Sequence, residues 1–249
     1  MKRILFVMVA GLAVQVSAAQ VQDGKITYER KANIHKRLGP EQESMKNMIP
    51  EFDVSKVELI FTGNESMYRR IQEEEDIRET AGESGDRMVF RMRVGADNEL
   101  YKNYTTMKSL ERTELGAKKF IIEDSVRIQN WKIDESGETK QIKGYTCKKA
   151  TATLAQRNTP VVVWYTEQIL CPSGPEGWGG LPGMILEVNM GDGEMIITAI
   201  DITDKADKKL VSAPSGGKKI TRKEYQKMME EQFGVAPGGG GPTIRVIRQ

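Results

Sequence analysis

Most of the chain is written in short runs that alternate apolar with polar residues, the period of a strand with one buried face. Lys25 to Ile34 is such a run, and Val54 to Thr62 is a second. Gly63-Asn64 supplies a turn after it, with Met67 to Ile71 as the hairpin partner. Met88 to Val94, Leu100 to Thr105, Glu111 to Leu115 and Lys119 to Glu123 continue the pattern, the last two flanking a turn around Gly116. Arg127 to Ile133, Gly144 to Leu154 and Pro160 to Ile169 follow as strands. A proline-glycine loop then spans Cys171 to Gly183. Met184 to Asn189 and Glu194 to Asp201 make a hairpin about Gly191-Asp192-Gly193.

Helical periods are few. Glu41 to Met48 has room for two turns between Pro40 and Pro50. Thr221 to Phe233 is the stronger segment: Thr221 and Glu224 have capping-box spacing, and Tyr225, Met228, Met229 and Phe233 form an apolar stripe. One amphipathic helix does not cover ten or more strands, so the sheet must curl or fold over. The expected fold is mainly β: a single curled antiparallel sheet, a meander-like half-barrel or open barrel, with one C-terminal helix on its concave side.

The ends read differently. Residues 1–19 have the form of a secretory signal, with Lys2 and Arg3, an apolar stretch from Ile4 to Val14, and cleavage near Ala18-Ala19-Gln20. That stretch is too short to span a bilayer comfortably, and no later one is long and apolar enough. The expected organisation is a signal peptide at 1–19, a β-rich domain at 20–235 and a flexible Gly/Pro-rich tail at 236–249, including Pro237 to Pro242 and the short run Thr243 to Gln249. The expected location is periplasmic or secreted. Loss of Lys2 and Arg3 lowers the count of 37 Lys+Arg to 35, against 35 Asp+Glu. A balanced chain gives no bulk-charge reason to bind nucleic acid. The acidic run Glu73 to Asp76 reads as a solvated turn.

Cys147 and Cys171 are the only cysteines. In an oxidising compartment a lone pair is expected to join, stabilising by about 3 kcal/mol through the loop it closes. The alternative is a pair of reactive thiols, although the spacing is nothing like Cys-x-x-Cys.

Recognisable catalytic machinery is sparse. His35 is the only histidine, in a polar strand end or loop, and no Gly-x-Ser-x-Gly elbow accompanies it. One histidine and two distant cysteines do not make a zinc site, no Asp-x-Asp-x-Asp loop offers calcium, and the 13 methionines are scattered as core residues would be. Acidic pairs such as Glu123-Asp124 and Glu230-Glu231 are common in any charged chain. Phosphate-loop and Rossmann fingerprints are absent, and no cofactor or metal is implied. The reading leans away from an enzyme.

From Trp131 to Asp201 the chain resembles the GLPGLI family of exported Bacteroidetes proteins. The matching residues are Trp131-Lys132-Ile133, the strand Ile142 to Ala150 with Gly144-Tyr145 and Cys147, the aromatic strand at Trp164-Tyr165-Thr166, and the naming motif Gly180-Leu181-Pro182-Gly183-Met184-Ile185. The resemblance implies an exported β-rich protein and carries no catalytic residues. Within the motif region, Trp164, Tyr165, Trp178, Gly180, Leu181, Pro182 and Gly183 are the candidate binding residues, with Cys147 and Cys171 tying the loop to the long strand. The competing reading makes the loop a corner on which Trp178 folds back over the core. The expected function is a non-catalytic module for a lipid, a peptide or an outer-membrane partner. The alternatives are a carboxylate-dependent hydrolase of an envelope glycan or peptide, and a structural envelope component whose tail adds to a partner's sheet edge.

Overall fold

Among the described residues, most of the alternating runs are strands. In chain order the strands are β1 (Asp23–Asn33), β2 (Phe52–Thr62), β3 (Glu65–Arg70), β4 (Arg78–Ala81), β5 (Arg87–Phe90), β6 (Glu99–Asn103), β7 (Lys108–Leu115) and β8 (Lys118–Ser125). They continue with β9 (Lys132–Ile133), β10 (Thr139–Ile142), β11 (Tyr145–Leu154), β12 (Thr159–Thr166), β13 (Met184–Met190), β14 (Met195–Thr203) and β15 (Lys218–Thr221), before helix α1 (Arg222–Phe233). The structure is a computed structural model and describes residues 20–71, 78–81, 87–90, 98–115, 117–155 and 158–233. The expected signal peptide, the acidic turn at 73–76, the Gly116 turn and the C-terminal tail lie outside the described residues, as does part of the run from Met88 to Val94. No helix among the described residues is long and apolar enough to cross a membrane.

Thirteen strands form one open sheet in the order β10-β11-β12-β13-β14-β1-β2-β3-β6-β7-β8-β15, with β9 beside β11. Strands β4 and β5 pair separately. The mainly β fold with a single C-terminal α-helix is as expected, but the meander is two meanders. They meet at β1, which pairs antiparallel with β14 on one side and with β2 on the other. Placing the first strand at the centre gives both of its backbone edges partners and joins segments some 170 residues apart, which local periodicity does not report. β15 adds to β8 in parallel, against the antiparallel rule of the rest.

The sheet has two unlike faces. One carries the main core: Ile26 and Tyr28 of β1, Leu59 and Phe61 of β2, Val163 and Tyr165 of β12, and Ile197 of β14 are all buried there. The Cys171–Gly183 loop closes over this face, bringing Trp178 and Leu181 into the same core. Helix α1 lies further along the same face, with Tyr225 and Met228 packed against Phe120, Ile122 and Ile220. Its first turn has the expected capping box: the Thr221 hydroxyl accepts from the Glu224 amide at 3.2 Å, and the Glu224 carboxylate accepts from the Thr221 amide at 2.7 Å.

The opposite face has only a small apolar patch, where Ile60, Met67 and Tyr101 meet Val211 from the segment after β14. Beyond that patch the face is mostly polar and half-exposed, with half-buried Val162, Trp164 and Ile196 on its far side.

Two local expectations change. Pro40–Met48 is a 3-10 helix, anchored where it ends by buried Ile49 rather than by an apolar stripe. Arg127 to Ile133 gives strand only at Lys132–Ile133; Ile128 is 54% exposed, so its apolar side chain supplies no buried face for a longer run.

Candidate functional site

Two places in the molecule collect functional-looking groups, one on each face. On the core face Lys102 of β6 points inward and is 2% exposed. Its ammonium donates to three backbone carbonyls of the Cys171–Gly183 loop: Gly174 at 3.1 Å, Glu176 at 3.2 Å and Trp178 at 2.8 Å. Burial lowers its pKa to about 7. Around it the Ser66 and Ser173 hydroxyls stand 2.9 Å apart, Arg30 donates to Glu176 at 3.0 Å, and the Trp131 indole donates to the Gly179 carbonyl at 2.9 Å.

The glycines of the loop follow from this close fit. A Cβ on Gly179 would stand 2.3 Å from the Tyr104 hydroxyl. One on Gly183 would stand 2.1 Å from the Thr166 carbonyl oxygen, at a φ of +142°.

The candidate residues of this region therefore separate. Tyr165, Trp178, Leu181 and Gly183 are buried, Gly180 is half-buried and Pro182 is exposed. Trp164 points the other way, from the open face, where it is half-exposed beneath the ammonium groups of Lys140 at 5.7 Å and Lys149 at 6.0 Å. Successive strand residues face opposite sides, so Trp164 and Tyr165 do not share a site.

Cys147 and Cys171 correct the crosslink expected of them. Both are free, buried thiols. Cys147 directs its sulfur to the Tyr145 carbonyl at 3.6 Å and Cys171 to the Glu65 carbonyl at 3.9 Å. Each sits in the core as a small hydrophobe, and burial pushes both thiols up to about 12. His35 is likewise structural, its Nε2 3.0 Å from the Ile49 carbonyl.

The second place is the open face. Register aligns Glu58 of β2, Arg69 of β3, Glu99 of β6 and Arg112 of β7 in one row across four strands. Arg69 pairs with Glu58, and Arg112 with Glu99 at 2.6 Å. The row floors a cleft of about 550 Å³, whose walls include Arg70, Glu114 and Lys119. Arg69, Glu99 and Arg112 also line an adjoining hollow of about 210 Å³, closed on its far side by Lys209, Leu210 and residues 212–215. The two make one polar trough. Its floor is fixed by sheet backbone, so its carboxylates and guanidinium groups stand at set spacings. Such a surface presents paired acceptors and forked donors to a polyhydroxylated or charged ligand.

Sequence reading missed this row and Lys102. Each of the four charges is an ordinary outward residue on its own strand; only the cross-strand register brings them together.

The chain is thus an open, mainly antiparallel sheet with one packed face and one polar trough. Residues 96–226 match the family described as N-glycanase peptide, N-terminal domain, and the chain belongs to that family. This finding overturns the GLPGLI resemblance, since most of the matched stretch is the one that carried it. The motif misled because its glycines, proline and aromatic residues serve a tight buried corner, a requirement of backbone and packing rather than a mark of descent. In fold, the chain is similar to PNGF-II. A structure in space group C2 gives a TM-score of 0.56 at 14% identity, covering 84% of this chain and 32% of that one. A structure in space group P21 gives 0.55 at 16%, covering 83% and 33%. The chain thus spans about a third of the length of those structures. No curated protein matches it.

Proposed function

We propose that the chain is an exported, non-catalytic recognition module of the cell envelope, and that its ligand is the carbohydrate of a glycoprotein or glycopeptide. The observation that carries this reading is the trough on the open face, with its row Glu58–Arg69–Glu99–Arg112. Neighbouring hydroxyls of a sugar pair naturally with a carboxylate acceptor beside a guanidinium donor, and the floor is already ordered before binding. A polar trough suits sugar hydroxyls better than the acyl chain of a lipid. Membership of a family whose description names an N-glycanase supports a carbohydrate ligand, and the signal-like first nineteen residues support export. Calorimetric titration with an N-glycopeptide, and with the same peptide after removal of its glycan, tests the reading. The glycopeptide is expected to bind and the bare peptide not; equal behaviour of the two would refute it.

A further inference from the structure

Resting on that carbohydrate reading, we propose that the hollow at the end of the trough is a subsite for the acetamido group of an N-acetylated sugar. The segment between β14 and β15 passes over the open face, where Val211 is buried against Ile60, Met67 and Tyr101 and Lys208 pairs with Asp23 at 2.7 Å. The charged row and this strap bound the hollow of about 210 Å³ between them. That is smaller than the about 300–1,000 Å³ of a site for a whole small molecule. The hollow therefore has room for the substituent of one sugar ring rather than for a length of glycan.

Its two walls differ in chemistry. The floor offers Glu99 and Arg112, joined at 2.6 Å through one carboxylate oxygen and one terminal nitrogen. Glu99 keeps its second oxygen as an acceptor, and the Arg112 guanidinium keeps further N–H donors. The strap offers Leu210, 40% exposed, with Ala213 and Pro214, and Met67 of β3 adds to this apolar wall. A secondary amide ending in a methyl group needs three things at once: an acceptor for its N–H, a donor for its carbonyl and an apolar surface for the methyl. The hollow supplies all three within one small volume. A hydroxyl at the same ring position uses the acceptor and the donor but leaves the apolar wall wet. The wall is therefore what separates an N-acetylated sugar from an ordinary hexose.

The test uses the full chain and a matched pair of 1,4-linked oligosaccharides, chitotetraose and cellotetraose. They differ only in carrying an acetamido group or a hydroxyl at the second carbon of each ring. An N-glycopeptide is titrated alongside as the control for carbohydrate binding. Affinities are measured by calorimetry for the native chain, for Leu210→Ser and for Ala213→Phe, with thermal unfolding run on each variant. Chitotetraose is expected to bind about tenfold tighter than cellotetraose, from the buried methyl group and the amide hydrogen bonds together. Leu210→Ser should narrow that preference, and Ala213→Phe, which fills the hollow, should abolish it. Ala213 is exposed, so its replacement blocks the hollow without removing a contact of the core. Equal affinity for the two oligosaccharides overturns acetamido recognition, as does a preference that Ala213→Phe leaves intact. Binding of the N-glycopeptide with neither oligosaccharide bound overturns the inference and leaves the carbohydrate reading standing. Failure of all three to bind overturns it together with the reading on which it rests.

Discussion

Replacing Lys102 by methionine isolates what the buried ammonium does. The substitution keeps an unbranched apolar stem, one atom shorter, and removes the donor from the carbonyls of Gly174, Glu176 and Trp178. A buried acceptor left without a partner costs about 1–3 kcal/mol. Relief from burying a charge offsets part of the loss of three such partners. The net expectation is about 3 kcal/mol of destabilisation near neutral pH, or a fall in Tm of about 6–12 °C for a domain of this size.

Proton linkage gives a sharper signature. The pKa of Lys102 falls from its ordinary 10.5 to about 7 in the folded chain. Between those values the unfolded chain binds more protons than the folded one, so the stability due to Lys102 rises with pH at about 1.4 kcal/mol per unit. Below pH 7 both states hold the proton and the contribution is level. Urea unfolding of native chain and Lys102→Met at pH 6, 7, 8 and 9 should show a gap that is steady up to pH 7. It should then widen by roughly 2–3 kcal/mol by pH 9. The raised thiol and tyrosine groups stay protonated in both folded proteins up to pH 9, including Cys171, whose thiol Lys102 draws down, so they cancel. A gap that stays flat, narrows with pH or is absent would refute the argument.

Two further predictions concern the same region. Cys147 and Cys171 should be unreactive to a thiol reagent in the folded chain, being buried with pKa values near 12, and two thiols should titrate after unfolding in urea without reductant; a count of zero would show a disulfide instead. Gly183→Ala should cost about 2–4 kcal/mol by chemical unfolding, because a Cβ meets the Thr166 carbonyl oxygen at 2.1 Å and the backbone is in the positive-φ region; an unchanged midpoint would mean that the corner can shift.

Strand positions were legible because burial alternates along them: β1 buries Ile26 and Tyr28 while Lys25, Thr27 and Glu29 face water. The helix was legible through its cap and its Tyr225–Met228 stripe. Sheet order was not, since the β1–β14 pairing depends on contacts between the two ends of the domain. The Gly-Pro loop announced tight backbone, and Trp178 and Leu181 have the buried places that a corner requires. Lys102 was hidden because a lysine between Tyr101 and Asn103 reads as solvated, and only the loop some seventy residues later supplies its carbonyls. The trough was hidden for the same kind of reason: Glu58, Arg69, Glu99 and Arg112 become neighbours only through three strand registers. Crosslinking of the cysteines was inferred from compartment alone, whereas the packed core places each sulfur against its own carbonyl.

The measurement that tests carbohydrate recognition most directly is a backbone amide shift map of the labelled protein during titration with an N-glycopeptide. Shifts concentrated along β2, β3, β6 and β7 around Glu58, Arg69, Glu99 and Arg112, and in residues 209–215, are the expected result. Shifts confined to the Cys171–Gly183 loop, or none at a saturating excess of glycopeptide, would contradict the account.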